Sequence, residues 1–182
     1  LKKYGYHHLM GNISGNQDKP RFISLASKEV SPNEDTKLAG YIRQIGSKTS
    51  PYAYSKLALL HAFNHAIPGV PIIYYGDEFG MPGANDPDNR RMMKFDGYSP
   101  EEMNLKTLVR QIVQARRKHM ALNYGNTEIT SLNKSVINIK RSYLDEHINV
   151  ILNNSELPFT IKINSKARVI AGNGNLGISQ LT

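Results

Sequence analysis

The chain contains no cysteine. Disulfide frameworks and thiolate metal sites are therefore excluded, while the compartment stays open. It has no apolar run approaching the length of a membrane span. Its Lys and Arg residues give a net charge of +8 but are scattered from Lys2 to Arg168. The one dense run, Arg116-Arg117-Lys118-His119, falls near an expected helix C-terminus, where cations complement the dipole. That pattern does not describe a nucleic-acid interface. The six histidines show no metal-ligand spacing; His61 and His65 stand four apart but lack an acidic partner nearby. No metal or cofactor is expected of this chain. Gly172-Asn173-Gly174 has neither the glycine spacing nor the following helix of a phosphate loop, and reads as a turn. The opening Leu1-Lys2-Lys3 has no initiating Met and no signal-peptide pattern, which reads as a cut fragment.

What is present is globular in composition: 182 residues, 40% hydrophobic and 21% charged, enough for a core and one or two domains. A short apolar run (Leu9, Met10, Ile13) predicts a strand over 9–14 that ends in Gly15-Asn16-Gln17-Asp18. Pro20 then forbids a regular ladder. Such a cluster is either an ordinary turn or a functional loop at a strand's carboxyl end, where parallel α/β folds place their sites. Ser31-Pro32-Asn33-Glu34 has the form of a capping box, with Leu38, Tyr41, Ile42 and Ile45 at helical spacing behind it. Ser50-Pro51 predicts a second helix with Leu60, Phe63 and Ile67 as its buried stripe, stopped by Pro68-Gly69.

Val70 to Tyr75 is apolar without alternation, as in a parallel strand covered on both faces. A long loop from Met81 to about Tyr98 follows, of a length that is usually functional or disordered. Ser99-Pro100-Glu101-Glu102 predicts a third helix, ending near Gly125. Beyond it the texture changes. Runs at 135–141, 148–152, 159–163 and 168–171 read as short strands separated by turn residues, so an antiparallel sheet or small sandwich is expected. The expected division is 1–125 and 126–182.

Pro68-Gly69-Val70-Pro71-Ile72-Ile73-Tyr74-Tyr75-Gly76-Asp77-Glu78-Phe79-Gly80-Met81 resembles the eighth-strand signature of the α-amylase family, glycoside hydrolase family 13. Asn85-Asp86-Pro87-Asp88-Asn89-Arg90-Arg91-Met92-Met93 is similar to the neopullulanase and cyclomaltodextrinase branch. Gly15-Asn16-Gln17-Asp18 falls where the family carries its seventh-strand Asn-His-Asp motif. The resemblance implies an α/β fold: the C-terminal part of a (β/α)₈ barrel followed by a small antiparallel β-sandwich. It implies a retaining enzyme acting on α-glucosidic bonds of starch-like glucans, whose nucleophile and general acid stand about 5 Å apart across the scissile bond. Those carboxylates lie on the family's fourth and fifth strands, which this stretch does not include.

The resemblance makes Asp18 the third family carboxylate, which binds sugar hydroxyls and stabilises the oxocarbenium-like transition state. Gln17 departs from the usual His; it keeps a donor and an acceptor but carries no proton. Asn16, Gln17, Asp86 and Arg90 are the implied substrate-binding residues, although Asp86 and Arg90 equally suit an ion pair that holds the loop. Arg21 is expected to brace the Asp18 loop, Glu78 to be a structural hydrogen-bond partner, and Tyr74 and Tyr75 to be core. The implied partners are α-glucan oligosaccharides and either the rest of a parent chain or a second copy, with no nucleic acid and no membrane span. Calcium stays open for the parent enzyme. A noncatalytic carbohydrate-binding or basic interaction module is the alternative.

Overall fold

A computed structural model describes residues 9–47, 49–162 and 167–172. Its element order is β1 (Gly11–Ile13), α1 (Phe22–Ala26), α2 (Thr36–Ile42), α3 (Pro51–Ala66), β2 (Val70–Ile72), a 3₁₀ turn at Asp88–Arg90, α4 (Pro100–Lys118), α5 (Met120–Tyr124), β3 (Asn126–Ser131), β4 (Val136–Tyr143) and β5 (Glu146–Asn153). Strands β1 and β2 pair in parallel, Gly11 opposite Val70 and Ile13 opposite Ile72, and the three helices between them form the crossover a parallel pair requires. Asn12 fixes this pairing from the side: its Nδ2 donates to the Asn64 and Pro68 carbonyls at 3.1 and 3.2 Å. Gly69 enters β2 at φ +120°, and a Cβ there would stand 2.5 Å from the Met10 carbonyl oxygen. Only glycine permits both that conformation and that approach.

The helix starts follow from sequence where a Ser-Pro pair supplies them. Ser50 caps α3 with Pro51 at the first turn. Ser99 and Glu102 close a reciprocal capping box on α4. The same signature at Ser31–Glu34 does not start a helix. Glu34 accepts from the Ser31 N–H at 2.6 Å and Ser31 Oγ accepts from Asn33, so the reciprocal bonds close a turn. Asp35 caps α2 instead, accepting from Lys37 and Leu38. The short α1 was not foreseen.

Helix α3 is the hub. One side packs Ala53 and Leu57 against Ile23 of α1 and Leu105 and Val109 of α4. Its far end packs Ala66, with Leu59, Ala62, Phe63 and Ile67, against Ile139 and Leu152 of the C-terminal strands. A helix covered on two sides is apolar around much of its girth, which is why a single stripe at Leu60, Phe63 and Ile67 is too narrow a description. Its last carbonyls are held by two buried cations. Arg116 donates to the carbonyls of His65, Ile67 and Gly69, and Arg141 to that of Ala66. Arg116 therefore serves α3 rather than only the dipole of its own helix.

Strands β3, β4 and β5 form an antiparallel meander. Of the two expectations, the antiparallel sheet is the one the described residues bear out. Helices α3 and α5, not a second sheet, cover this sheet among the described residues, so no sandwich is seen there. Phe159 to Lys162 and Ala167 to Ala171 carry no strand, and the remainder of the expected run at 159–163 and of the turn at 172–174 lies outside the described residues. On the β1–β2 pair, Ile13, Val70 and Ile72 remain about half exposed. Two strands alone cannot cover both faces, so the burial expected for 70–75 is only partly reached. No helix among the described residues is long and apolar enough to cross a membrane.

Candidate functional site

Both parallel strands end in loops on the same side, and these loops meet. After Ile13, Ser14 Oγ accepts from Asn64 Nδ2 at 2.9 Å. Gly15 then lies so close over Asp77 that a Cβ would fall 2.3 Å from its Oδ2. Asn16 Oδ1 accepts the Asp18 backbone N–H at 2.9 Å, an Asx turn that presents the Asp18 side chain outward. Gln17 Nε2 donates to Asp18 Oδ2 at 3.1 Å. The turn expected of this Gly-Asn-Asp cluster is therefore present, at the carboxyl end of β1.

From the second loop comes Arg90. Its Nη2 stands 3.6 Å from Asp18 Oδ1, its Nε donates to Asp86 Oδ1 at 3.0 Å, and the same Nε lies 3.3 Å from the Gln17 carbonyl. Lys37 Nζ, on α2, is 4.0 Å from Asp86 Oδ2. All five residues singled out in the sequence, Asn16, Gln17, Asp18, Asp86 and Arg90, therefore gather in one cluster, with Gln17, Asp18 and Arg90 exposed and Asn16 and Asp86 half-buried. The cluster offers carboxylate acceptors at Asp18 and Asp86 and donors at Arg90 and Gln17, the set that sugar hydroxyls require. The Asp86–Arg90 pair that could hold the loop is present, and it is the same pair that faces solvent.

Beneath this row lies a buried layer. Arg21 is 1% exposed. Its guanidinium donates to the Asn89 carbonyl at 3.0 Å, the Tyr75 carbonyl at 2.6 Å and Asp77 Oδ1 at 2.9 Å, and it lies over the rings of Tyr74 and Tyr75. Bracing is thus what Arg21 does. Tyr74 and Tyr75 are not core in the plain sense: they flank a cation, and Tyr75 stays partly exposed with its hydroxyl donating to the Arg91 carbonyl. Asp77, not Glu78, is the carboxylate that makes the buried bonds. Burial pushes its carboxyl up to about 6 against the opposing pull of Arg21. Behind it, His61 Nε2 meets the Asp77 carbonyl at 3.0 Å, and burial pushes that imidazole down to about 4.

Asn89 is the support that sequence reading missed. It is fully buried and its Nδ2 donates to the Lys19 and Asn16 carbonyls at 2.7 and 3.3 Å, tying the two loops together. Only its place beside Arg90 in the loop motif could have drawn attention to it, because a lone Asn carries no periodic signal. His61 and His65 bond to backbone carbonyls, and no group of three His, Asp or Glu side chains among the described residues is placed to hold a metal ion.

No family model matches the chain. It is 31% identical to a cyclomaltodextrinase of Thermoanaerobacter pseudethanolicus over 158 residues, which covers 87% of this chain and 23% of that protein. It is 33% identical to neopullulanase 2 of Thermoactinomyces vulgaris over 102 residues, covering 55% of this chain and 17% of that protein. Among solved structures, the α-amylase of Geobacillus thermoleovorans, complexed with acarbose, matches with a TM-score of 0.59 at 30% identity over 81% of this chain and 28% of that one. An Anoxybacillus α-amylase matches with a TM-score of 0.63 at 26% identity over 88% and 30%. The chain spans about a quarter of the length of the cyclomaltodextrinase it matches. Relatives named cyclomaltodextrinase and neopullulanase, with structural neighbours that are α-amylases, support a likeness to the neopullulanase and cyclomaltodextrinase branch of the α-amylase family, glycoside hydrolase family 13.

Proposed function

We propose, from the premise that this chain is kin to part of the neopullulanase and cyclomaltodextrinase branch, that it is a piece of a retaining α-glucan hydrolase acting on starch-like polysaccharides. In this reading 1–125 supplies the seventh and eighth strands of a (β/α)₈ barrel with their helices, and 126–182 the C-terminal β domain. Asp18 is the fixed anion that stabilises positive charge developing on the sugar. Asn16, Gln17, Asp86 and Arg90 bind hydroxyls beside it. The half-exposed β1–β2 face is covered by the rest of a parent chain or by a second copy, since bare strand edges and apolar patches recruit partners.

The observation that carries this reading is the gathering of Asp18, Asp86 and Arg90 at the carboxyl ends of two paired parallel strands. That is where parallel α/β enzymes build their sites. A carboxylate held by a neutral amide on one side and a loosely placed guanidinium on the other is free to exchange both for sugar hydroxyls.

Two measurements test it. The 182-residue chain alone is expected to release no reducing sugar from starch or pullulan, since the reading leaves it without nucleophile and acid. In the parent enzyme, Asp18→Asn is expected to lower kcat by on the order of 10² to 10³ with little change in KM. A raised KM with unchanged kcat would remove Asp18 from the transition state and favour a binding role only.

A further inference from the structure

The row of charges does not stop at Asp86. Asp86 Oδ1 is taken by Arg90, and its other oxygen faces Lys37 at 4.0 Å. Lys37 stands on the first turn of α2, and Tyr41 stands one turn further on, on the same flank. The opposite arc of the helix is turned inward: Ala39 is buried, and Gly40 lies so close to Asp88 and Ala84 that a Cβ would crowd both. Tyr41 is 66% exposed, and its hydroxyl makes no hydrogen bond among the described residues. Leu38 and Ile42, one residue on from Lys37 and Tyr41, are also exposed.

We propose that the glucan-binding surface continues from Asp86 onto this flank of α2, with Lys37 binding hydroxyls and Tyr41 stacking on a further glucose ring. The inference rests on the assignment of Asp86 and Arg90 to sugar binding. Its physical basis is the pairing of groups. A pyranose has apolar C–H faces and a polar rim, so it is held by an aromatic plane next to hydrogen-bonding side chains. Tyr supplies the plane with one wet end. Lys37 supplies the donor. Their spacing of one helical turn, about 5.4 Å, carries the contacts outward from Asp86 instead of duplicating them. A 4.0 Å ion pair between exposed groups contributes little stability, so Lys37 is available to a ligand.

The test is calorimetric titration of the 182-residue chain with maltotriose and with maltoheptaose. The wild-type chain is expected to bind the longer sugar more tightly. Tyr41→Ala is expected to weaken maltoheptaose by about five- to tenfold and leave maltotriose unchanged. Tyr41→Phe, which keeps the ring, is expected to hold the wild-type affinity. If Tyr41→Ala changes neither sugar, or both equally, the extension is overturned. Arg90→Ala separates this failure from that of the underlying assignment: it weakens both sugars if Asp86 and Arg90 bind glucan. If it changes neither, or if the chain binds neither sugar, the assignment and the extension fall together.

Discussion

Arg21 and Arg90 meet the same short segment and do opposite things there. Arg21 grips the Asn89 carbonyl from inside, in a layer closed to water. Arg90, the next residue along, points out and shares itself among Asp18, Asp86 and the Gln17 carbonyl. A buried guanidinium depends on protein groups for its hydrogen bonds, because its desolvation is otherwise uncompensated. An exposed one has water as an alternative partner and its pairs are individually weak. The inner arginine therefore fixes where the loops are, and the outer one stays free to change partners. A site that must recognise hydroxyls needs both kinds: a rigid floor and exchangeable walls.

The sharpest way to break this contrast is to remove each arginine in turn. Arg21→Leu is expected to cost about 3 to 5 kcal/mol, because Asp77 is left buried without its partner. Urea unfolding measures it. A loss below about 1 kcal/mol would mean that the floor is not held by this pair.

A smaller effect concerns pH. Folding raises Asp77 from 3.8 to about 6, so between those values the folded state keeps a proton that the unfolded chain has released. Its contribution therefore falls as pH rises through that window. His61 runs the other way. Folding lowers it from 6.5 to about 4, so its contribution is lost as pH falls. Between about pH 4 and 6 the two oppose each other, and single substitutions uncover the slopes. Relative to wild type, the stability of His61→Gln is expected to decline with rising pH across that interval, and that of Asp77→Asn to increase. Each slope differs from wild type by up to about 1.4 kcal/mol per pH unit. Urea midpoints taken at steps from pH 4 to 6 check this, and parallel curves for all three proteins would contradict it.

The smallest expected effect is on the exposed side. Arg90→Ala should change stability by less than about 1 kcal/mol in the same urea experiment, since its pairs are solvated. A larger loss would place Arg90 with the floor and not the walls.

Much of this was legible in the residues. Ser50-Pro51 and Ser99-Pro100 start helices because their capping bonds are local, and local bonds can be read from a line of text. The meeting of Asp18 with Asp86 and Arg90 was legible only through family resemblance, since nothing local brings residues so far apart together. The misses have physical causes. Strand β3, Asn126–Ser131, is polar and keeps its side chains largely exposed, so it exists by pairing with β4 and not by pattern. Phe159 to Lys162 has strand-like composition and no partner among the described residues, and composition without a partner makes no ladder. Ser31–Glu34 has the right letters for a helix, yet its bonds are spent closing a turn. Arg116 reads in sequence only as a cation at its own helix end, and Arg141 carries no signal at all, because a buried cation and a solvated one look alike until the carbonyls around them are known.

Arg141 has a consequence for how separable the sheet is from the helices. It is rooted in the middle of β4, yet one arm reaches the Ala66 carbonyl at the end of α3 and the other the Gly125 carbonyl. The sheet thus carries, on its own strand, the group that finishes a helix 75 residues earlier. Exchanging this sheet for another is therefore not a matter of matching apolar surfaces alone. A replacement strand lacking a buried cation at that one place would keep the apolar neighbours and leave the Ala66 carbonyl without this donor.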